Sequence, residues 1–497
     1  MLRVHGGTSA MQVQEATFFA FDDVCIPFRT NFQLHLIHGK RTPGWRDGPT
    51  VVVPSGEPGA HDEQVHYYGS AVRVGDEFRL WYVGRVGCNP TWVGGYQGYD
   101  GRLCYAVSRD GIHWTKPNLG LVEYRGSTAN NLVDFPQHID LGWAPIIHDP
   151  DDPDPDRRFK LAFTHRTGPS GNRRGGLCVA YSPDGLHWRL SPNNPLGSVA
   201  FEHSGLIKWN GCYYVNGHSV GHPGPGRKME TYASYDFEHW TEGSALSLTR
   251  SPRIEGPDLE DRQNIWEEIH MGAGLHSWGN VILGVYGQWH GYPYSDRRYV
   301  TIDLGLAISH DALHFHEPIP GFRFVPAFEE RDTRLGAAPA LQQGQGMENV
   351  GDKTLYWYSV WRGDGQVRLA QWERDRLGYV QPYVAGTRAQ FITCPFSVEA
   401  DGSPVHLNVS GLGEFASAQV EVVDLQFRPL PGYSGDAAAT LRESGLRVPV
   451  RWANRASLPG IDAPLRLKVN VGPVSRDCPR PEDVRIYAAY VGSTPDH

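Results

Sequence analysis

Ser108-Arg-Asp110-Gly111-Ile-His113-Trp114 and Ser182-Pro-Asp184-Gly185-Leu-His187-Trp188 are two copies of one seven-residue pattern. Ser234-Tyr-Asp236-Phe-Glu-His239-Trp240 and Ser309-His-Asp311-Ala-Leu-His314-Phe315 are looser copies, and the four starts are 74, 52 and 75 residues apart. The pattern spells a tight turn. Ser and Asp side chains bond nearby backbone N–H groups, Gly accepts a left-handed conformation, and the aromatic residue then packs. Each copy follows an apolar run such as Leu103-Cys-Tyr-Ala-Val107 or Leu177-Cys-Val-Ala-Tyr181. The unit is therefore a strand, a turn and a return strand.

A second element recurs upstream of each turn as a short aromatic strand. The five instances are 78–85 (FRLWYVGR), 159–166 (FKLAFTHR), 212–219 (CYYVNGHS), 281–289 (VILGVYGQW) and 354–362 (TLYWYSVWR). After the fifth, 367–372 and 377–380 are expected to supply the last strand pair without a Ser-Asp turn. Five units of about four strands each predict a five-bladed β-propeller, whose blade edges are short and protected. From about Phe391 the turns vanish and alternating apolar and polar residues take over, as in 405–410 (VHLNVS) and 465–471 (LRLKVNV). That alternation marks half-buried strands and fits a jelly-roll-like β-sandwich. The expected fold class is all-β, with an N-terminal tail at 1–20, a propeller at 21–385 and a C-terminal β-sandwich at 386–497.

Composition agrees. The 497 residues include 58 Gly, 37 Pro, 15 Trp and 23 Tyr but only 5 Met, which disfavours a helical bundle, a coiled coil or a disordered chain. Lys and Arg number 46 against 55 Asp and Glu, a net charge of −9, with no basic run of the kind nucleic-acid binding requires. No apolar stretch reaches the roughly 18–20 residues that span a bilayer, and the N-terminus lacks a signal-peptide core. The seven cysteines are scattered and never form a CxxC pair, which reads as reduced thiols in a cytoplasmic protein and counts against a zinc site. No cofactor and no metal is expected. The partners expected are a small carbohydrate or glycoside and, as an option, further copies of the chain in a homo-oligomer.

A five-bladed propeller followed by a β-sandwich resembles the family 32 glycoside hydrolases, and the propeller alone resembles family 43. Residues 104–131 (CYAVSRDGIHWTKPNLGLVEYRGSTANN), 179–188 (VAYSPDGLHW) and 420–434 (VEVVDLQFRPLPGYS) are similar to a bacterial group of family-32-like glycosyl hydrolases. The resemblance runs from Phe21 onward and is specific for fold more than for substrate. It implies a glycoside hydrolase or transglycosylase acting on a furanosidic (fructosyl- or arabinosyl-like) or other small glycoside. A non-catalytic carbohydrate-binding propeller and a glycan-active phosphorylase or biosynthetic enzyme are the alternatives. A phosphorylase would need convergent basic residues, for which Arg85, Arg166 and Arg362 are weak candidates.

Glycosidases use two carboxylates held in different protonation states. In such propellers the innermost strand of each blade begins at the central funnel, so a catalytic acid belongs some 10–20 residues before the aromatic strand of its blade. Glu202 precedes the hairpin Asn210-Gly211 at a spacing similar to the family 43 general acid, although His203-Ser204 replaces the Gly-Pro of that pattern. Glu268 stands in a comparable place and is the alternative acid. Asp62 or Glu63 is the expected nucleophile or base, without the Asn-Asp-Pro or Arg-Asp-Pro motif of the family. Asp140 is the expected stabiliser or pKa modulator. For each, a turn residue or an ion pair at a strand end is the competing structural role. His66, His203 and His270 are expected to bond sugar hydroxyls, and Trp143, Trp266 and Trp289 to stack on sugar C–H faces. Glu255, in Ile254-Glu255-Gly256-Pro257, matches the family 43 acid motif in letters but lacks the following hairpin. Glu348 is expected on the surface, and the Asp-Pro run at 149–156 in a solvated hairpin.

Overall fold

The structure is a computed structural model that describes residues 12–39, 51–87, 99–167, 174–196, 201–219, 227–250, 267–291, 296–363, 365–398, 402–453 and 455–492. The described chain is all-β, its helices being single 3-10 turns. No helix among the described residues is long and apolar enough to cross a membrane.

Five four-stranded meanders follow one another. The first is Gln64–Val74, Glu77–Val86, Tyr99–Ser108 and Trp114–Thr115, and the second is Ile146–His148, Phe159–Thr167, Arg174–Ser182 and Arg189–Leu190. The third runs from Phe201–Trp209 through Cys212–Ser219 and Met229–Ser234 to Ala245–Leu248. The fourth runs from Glu267–Ser277 through Ile282–His290 and Thr301–Ser309 to Arg323–Val325. The fifth contains Leu341–Val350, Lys353–Val360 and Val367–Glu373. Its outer strand is Val51–Val53, which pairs Val53 with Val367. The expected strand at 377–380 goes elsewhere: Gly378–Pro382 pairs with Phe32–Leu36 and with Arg485–Gly492. The first strands of the meanders pack against one another in sequence, and that of the fifth returns to that of the first, where Gln345 bridges Ser70 in parallel. The ring of inner strands is closed.

The Ser-Asp turns are built as the pattern implies. In the first, the Gly111 N–H donates to Ser108 Oγ at 2.9 Å and the His113 N–H to Asp110 Oδ1 at 2.8 Å. The His113 ring closes the turn on Asp110 Oδ2 at 2.7 Å. Gly111 has φ +72°, and a Cβ there would lie 2.7 Å from Trp357 Cζ2. Each turn also accepts a bond from an aromatic side chain of the preceding meander. Trp357 donates to Gly111 O at 2.8 Å, Trp81 to Gly185 O at 2.8 Å, Tyr181 to Phe237 O at 3.3 Å and Trp209 to His310 O at 3.0 Å. The Trp and Tyr side chains of the meanders thus fasten neighbours as well as fill cores.

These turns make stability depend on pH. Burial works against the charged Asp110, but the His113 ring, two backbone N–H groups and Ser108 outweigh it and hold the carboxyl below the usual range. Asp184, Asp236 and Asp311 are lowered in the same way. A depressed carboxylate contributes stability above its unfolded pKa of about 3.9 and loses it as pH falls through the folded value. Asp110→Ala should cost about 0.5–1.5 kcal/mol at neutral pH. The gap to wild type in denaturant titrations should narrow below about pH 4. A gap that stays constant down to acid pH would show that the charge contributes nothing.

Two six-stranded sheets take up most of the C-terminal region, and they also draw in N-terminal strands. Glu15–Phe19 pairs with Arg485–Gly492 in one sheet, Phe32–Leu36 lies at the edge of that sheet, and Phe28–Thr30 pairs with Ala389–Ile392 in the other. The sequence suggests a tail at 1–20 and a propeller from residue 21; in the structure the strands Glu15–Phe19, Phe28–Thr30 and Phe32–Leu36 lie in these two sheets. Phe18, Leu407, Val420, Val469 and Ile486 share the apolar core between them. The Asp-Pro run is corrected in part. Asp149 is buried and pairs with Lys208 at 2.8 Å and Lys160 at 3.3 Å, and Lys160 also meets Asp152 at 2.5 Å. Glu348, expected on the surface, is half-buried.

Candidate active site

Four of the five inner strands carry a β-bulge. They lie between His66 and Ser70, His203 and Gly205, His270 and Ala273, and Gln343 and Met347. A bulge frees backbone N–H and C=O groups from the ladder, and buried groups of that kind must find other partners. Polar side chains from other inner strands and from the third meander's second strand supply them. Asn216 brackets the fourth strand, accepting from the Ala273 N–H at 2.8 Å and donating to Ala273 O at 3.0 Å. Gln343 donates to His270 O at 2.7 Å and Gly272 O at 2.9 Å. Gln345 accepts from the Leu206 N–H at 2.7 Å, and Ser70 Oγ from the Ile146 N–H at 2.7 Å. These bonds hold the inner strands in register about the axis. Met271 completes the bulge of the fourth inner strand with φ +72°, a conformation a non-glycine residue rarely takes.

Against this scaffold lies a cavity of about 190 Å³ lined by Tyr68, Trp143, Glu202, Arg227, His270, Met271, Arg297 and Trp361. The expected residues Glu202, Trp143 and His270 converge there. Glu202 is half-buried, with His218 Nε2 3.1 Å from its Oε2. Behind it, Arg227 lies 3.6 Å from buried Glu268 and over the face of Trp289 at 5.1 Å. His270 shares a 3.2 Å hydrogen bond with the Tyr68 hydroxyl and packs 5.3 Å from Trp289 and 5.2 Å from Trp361, centroid to centroid. Burial, reinforced by Arg227, His218 and Arg297, drives the His270 pKa well below its ordinary value, so the ring is neutral. Arg297 stacks over Trp361 at 5.6 Å.

The other expected residues do not line this cavity. Asp62 is buried and accepts from Tyr82 at 2.7 Å and from Lys116 at 2.5 Å. Glu63 accepts from the Gly59 N–H at 3.0 Å, closing a local turn. Asp140 is half-exposed and accepts from Arg85 at 3.0 Å and the Gly101 N–H at 2.8 Å. His66 is buried against Gln64 at 3.1 Å, and desolvation with the nearby Arg85 charge holds its pKa at about 3. His203 is buried between Thr164 Oγ1 at 3.2 Å and Ala162 O at 2.9 Å. Trp289 backs the cavity wall, and Trp266 and Glu255 lie outside the described residues. Arg362 is spent on the backbone carbonyls of Ala338, Arg297 and Val300. Tyr68, Arg227, Met271, Arg297 and Trp361 were not anticipated from the sequence, because neither of the arginines belongs to a repeat or a spaced motif.

No family model matches the chain, and no curated protein matches it. Among solved structures it is similar to a glycosyl hydrolase from Bacteroides ovatus, at 15% identity, covering 69% of this chain and 95% of the other with a TM-score of 0.42. It is also similar to a GH32 β-fructofuranosidase from Bombyx mori, at 13% identity, 88% and 93% coverage and a TM-score of 0.40. A third is a structure from the GH130 family of mannoside phosphorylases, described as containing glycoside hydrolases that target β-1,2 mannosidic linkages in Candida mannan. It matches at 15% identity, 68% and 95% coverage and a TM-score of 0.40. Likeness of this depth assigns neither a family nor a substrate, so function has to be argued from the chain's own geometry.

Proposed function

We propose that the five meanders are the blades of a β-propeller capped by a C-terminal β-sandwich, and that the axial cavity cleaves or transfers a glycosidic bond with Glu202 as the proton donor. The observation that carries this reading is the placement of Glu202. It is the carboxylate that reaches the cavity among the described residues, and it does so from the start of an inner strand beside aromatic walls. General acid catalysis needs a carboxyl at the reacting bond and a wall that excludes water. Trp143, Trp361 and Tyr68 provide the faces on which sugar C–H groups pack. The cavity is smaller than the roughly 300–1,000 Å³ of drug-sized sites, which fits one sugar ring of a small glycoside. Furanosides are the first compounds to try, and a cytoplasmic setting with reduced thiols belongs to the same proposal.

Phosphorolysis is a second reading, favoured by Arg227 and Arg297 at the cavity. A bound phosphate could replace the second carboxylate as nucleophile, and two guanidinium groups suit its charge. A panel of furanosides and pyranosides, each with and without inorganic phosphate and with products followed by NMR, separates the readings. Hydrolysis releases free sugar in either buffer, and phosphorolysis releases a sugar 1-phosphate only when phosphate is present. No turnover of any compound, together with retained sugar binding, would leave a lectin instead of an enzyme.

A further inference from the structure

Charge separates the sugars that the axial cavity can take. Among the described residues, its lining holds two guanidinium groups, Arg227 and Arg297, and one carboxylate, Glu202. Glu268 is buried and meets Arg227 from behind, 3.6 Å from Nε. A guanidinium stays charged in a protein, whereas a proton donor must enter the reaction protonated and neutral. With Glu202 in that state, the lining presents two positive charges and no negative one. The His270 ring feels the same field. Besides burial, the groups that hold it neutral are Arg227, His218 and Arg297, all of them positive when charged. Arg362 adds a third guanidinium, over the Trp361 ring at 5.7 Å. Burial together with the Arg297 charge brings its pKa down to about 10.

We propose that the sugar taken by this cavity carries a carboxylate, as the ring of a uronoside does, and that Arg227 and Arg297 bind that group. This preference rests on Glu202 being the proton donor proposed above. Arginine suits a carboxylate because its planar N–H fork matches the two oxygens. Arg297 lies over Trp361 at 5.6 Å and Arg227 over Trp289 at 5.1 Å. Stacking engages the face of a guanidinium and hydrogen bonding its edge, so the two operate together. A neutral sugar would displace water from two cations and give no charge in return, which costs affinity. In a cavity of about 190 Å³, a carboxylate fixed to the ring needs less space than a ring with a separate phosphate. A ring anchored by its acid group also keeps one orientation, as a donor at a fixed place requires.

The test compares methyl glucuronosides and methyl galacturonosides, both anomers of each, with their methyl esters, which keep the shape of the acid and cancel its charge. Full-length Glu202→Gln is neutral at that position, as the protonated donor is. In calorimetric titration it should bind at least one acid about 10–100-fold more tightly than the matching ester, the range of hydrogen bonds to a charged group. Arg297→Gln introduced beside it should bring that ratio toward one. Wild-type kcat/KM should show the same preference for the acid. Acids that bind no better than their esters overturn the proposal, as does a ratio that Arg297→Gln leaves unchanged. Turnover of a neutral glycoside that still depends on Glu202 would then keep the catalytic reading without the acidic sugar. An acid bound tightly but never turned over by wild type supports the arginine site and removes the catalytic reading. A neutral glycoside that binds tightly only with inorganic phosphate present decides against the proposal and for phosphorolysis. Should either variant fail to fold, the acid-to-ester ratio of wild type decides alone.

Discussion

Glu202→Gln is expected to lower turnover by about 10²–10⁴-fold, the usual contribution of a positioned proton donor, with sugar affinity close to wild type. Glutamine keeps the size and one acceptor oxygen of Glu202, so cavity shape and the approach of His218 at 3.1 Å are preserved. It cannot lend a proton to a leaving oxygen. The Glu268→Gln variant should behave differently. Glu268 is buried behind Arg227, 3.6 Å from its Nε, and acts on the cavity by orienting that guanidinium. Its loss should raise KM more than it lowers kcat. Asp62→Asn and Asp140→Asn should leave kcat nearly unchanged, because ion pairs with Lys116 and Arg85, and a hydrogen bond from Tyr82 to Asp62, hold these carboxylates away from the cavity. Initial rates on the best compound of the panel, paired with calorimetric binding, separate the cases. A Glu202→Gln enzyme working near the wild-type rate would remove Glu202 as the acid. A collapse of kcat in Glu268→Gln alone would move that role to Glu268.

What could be read from the sequence is what is local. The Ser-Asp-Gly turn is closed by bonds spanning two or three residues, so its four copies stand where the pattern placed them. The aromatic second strands are continuous apolar runs and fall within a residue or two of their expected bounds. The closing strand Val51–Val53 was illegible because its partner is Val367, more than 300 residues on. Glu15–Phe19 was illegible for the same reason, since it becomes a strand only against Arg485–Gly492. At the site, Glu202 and His270 were found by their position at the start of inner strands, and Trp143 by its place ahead of one. Arg227 and Arg297 had no such register. Asp62 shows the limit of positional reasoning: it does precede an inner strand, but Lys116 and Tyr82, both distant in the sequence, capture it.

The ring of inner strands makes a second, larger prediction. Gly205 closes the bulge of the third inner strand and lies against the fourth inner strand so closely that an added Cβ would overlap the Ala273 carbonyl oxygen and meet Asn216 Nδ2 at 2.8 Å. Ala273 cannot retreat, because Asn216 grips both its N–H and its C=O and Gln343 holds the neighbouring Gly272 carbonyl. Overpacking usually costs about 1–3 kcal/mol where side chains can yield. Here backbone must move against a bonded network, and Gly205→Ala is expected to cost at least about 3 kcal/mol and to empty the soluble fraction. Two further substitutions isolate the cause. Gly243→Ala meets nothing within 4 Å and has no left-handed backbone to strain, so it should be neutral. Gly211→Ala also meets nothing but sits at φ +76°, and should cost only the roughly 1–2 kcal/mol of a left-handed alanine. Chemical denaturation of the three variants orders them. If Gly205→Ala unfolds at the same denaturant concentration as Gly243→Ala, the inner strands can part enough to admit a methyl group. The walls that present Glu202 and His270 would then not be held by close backbone packing.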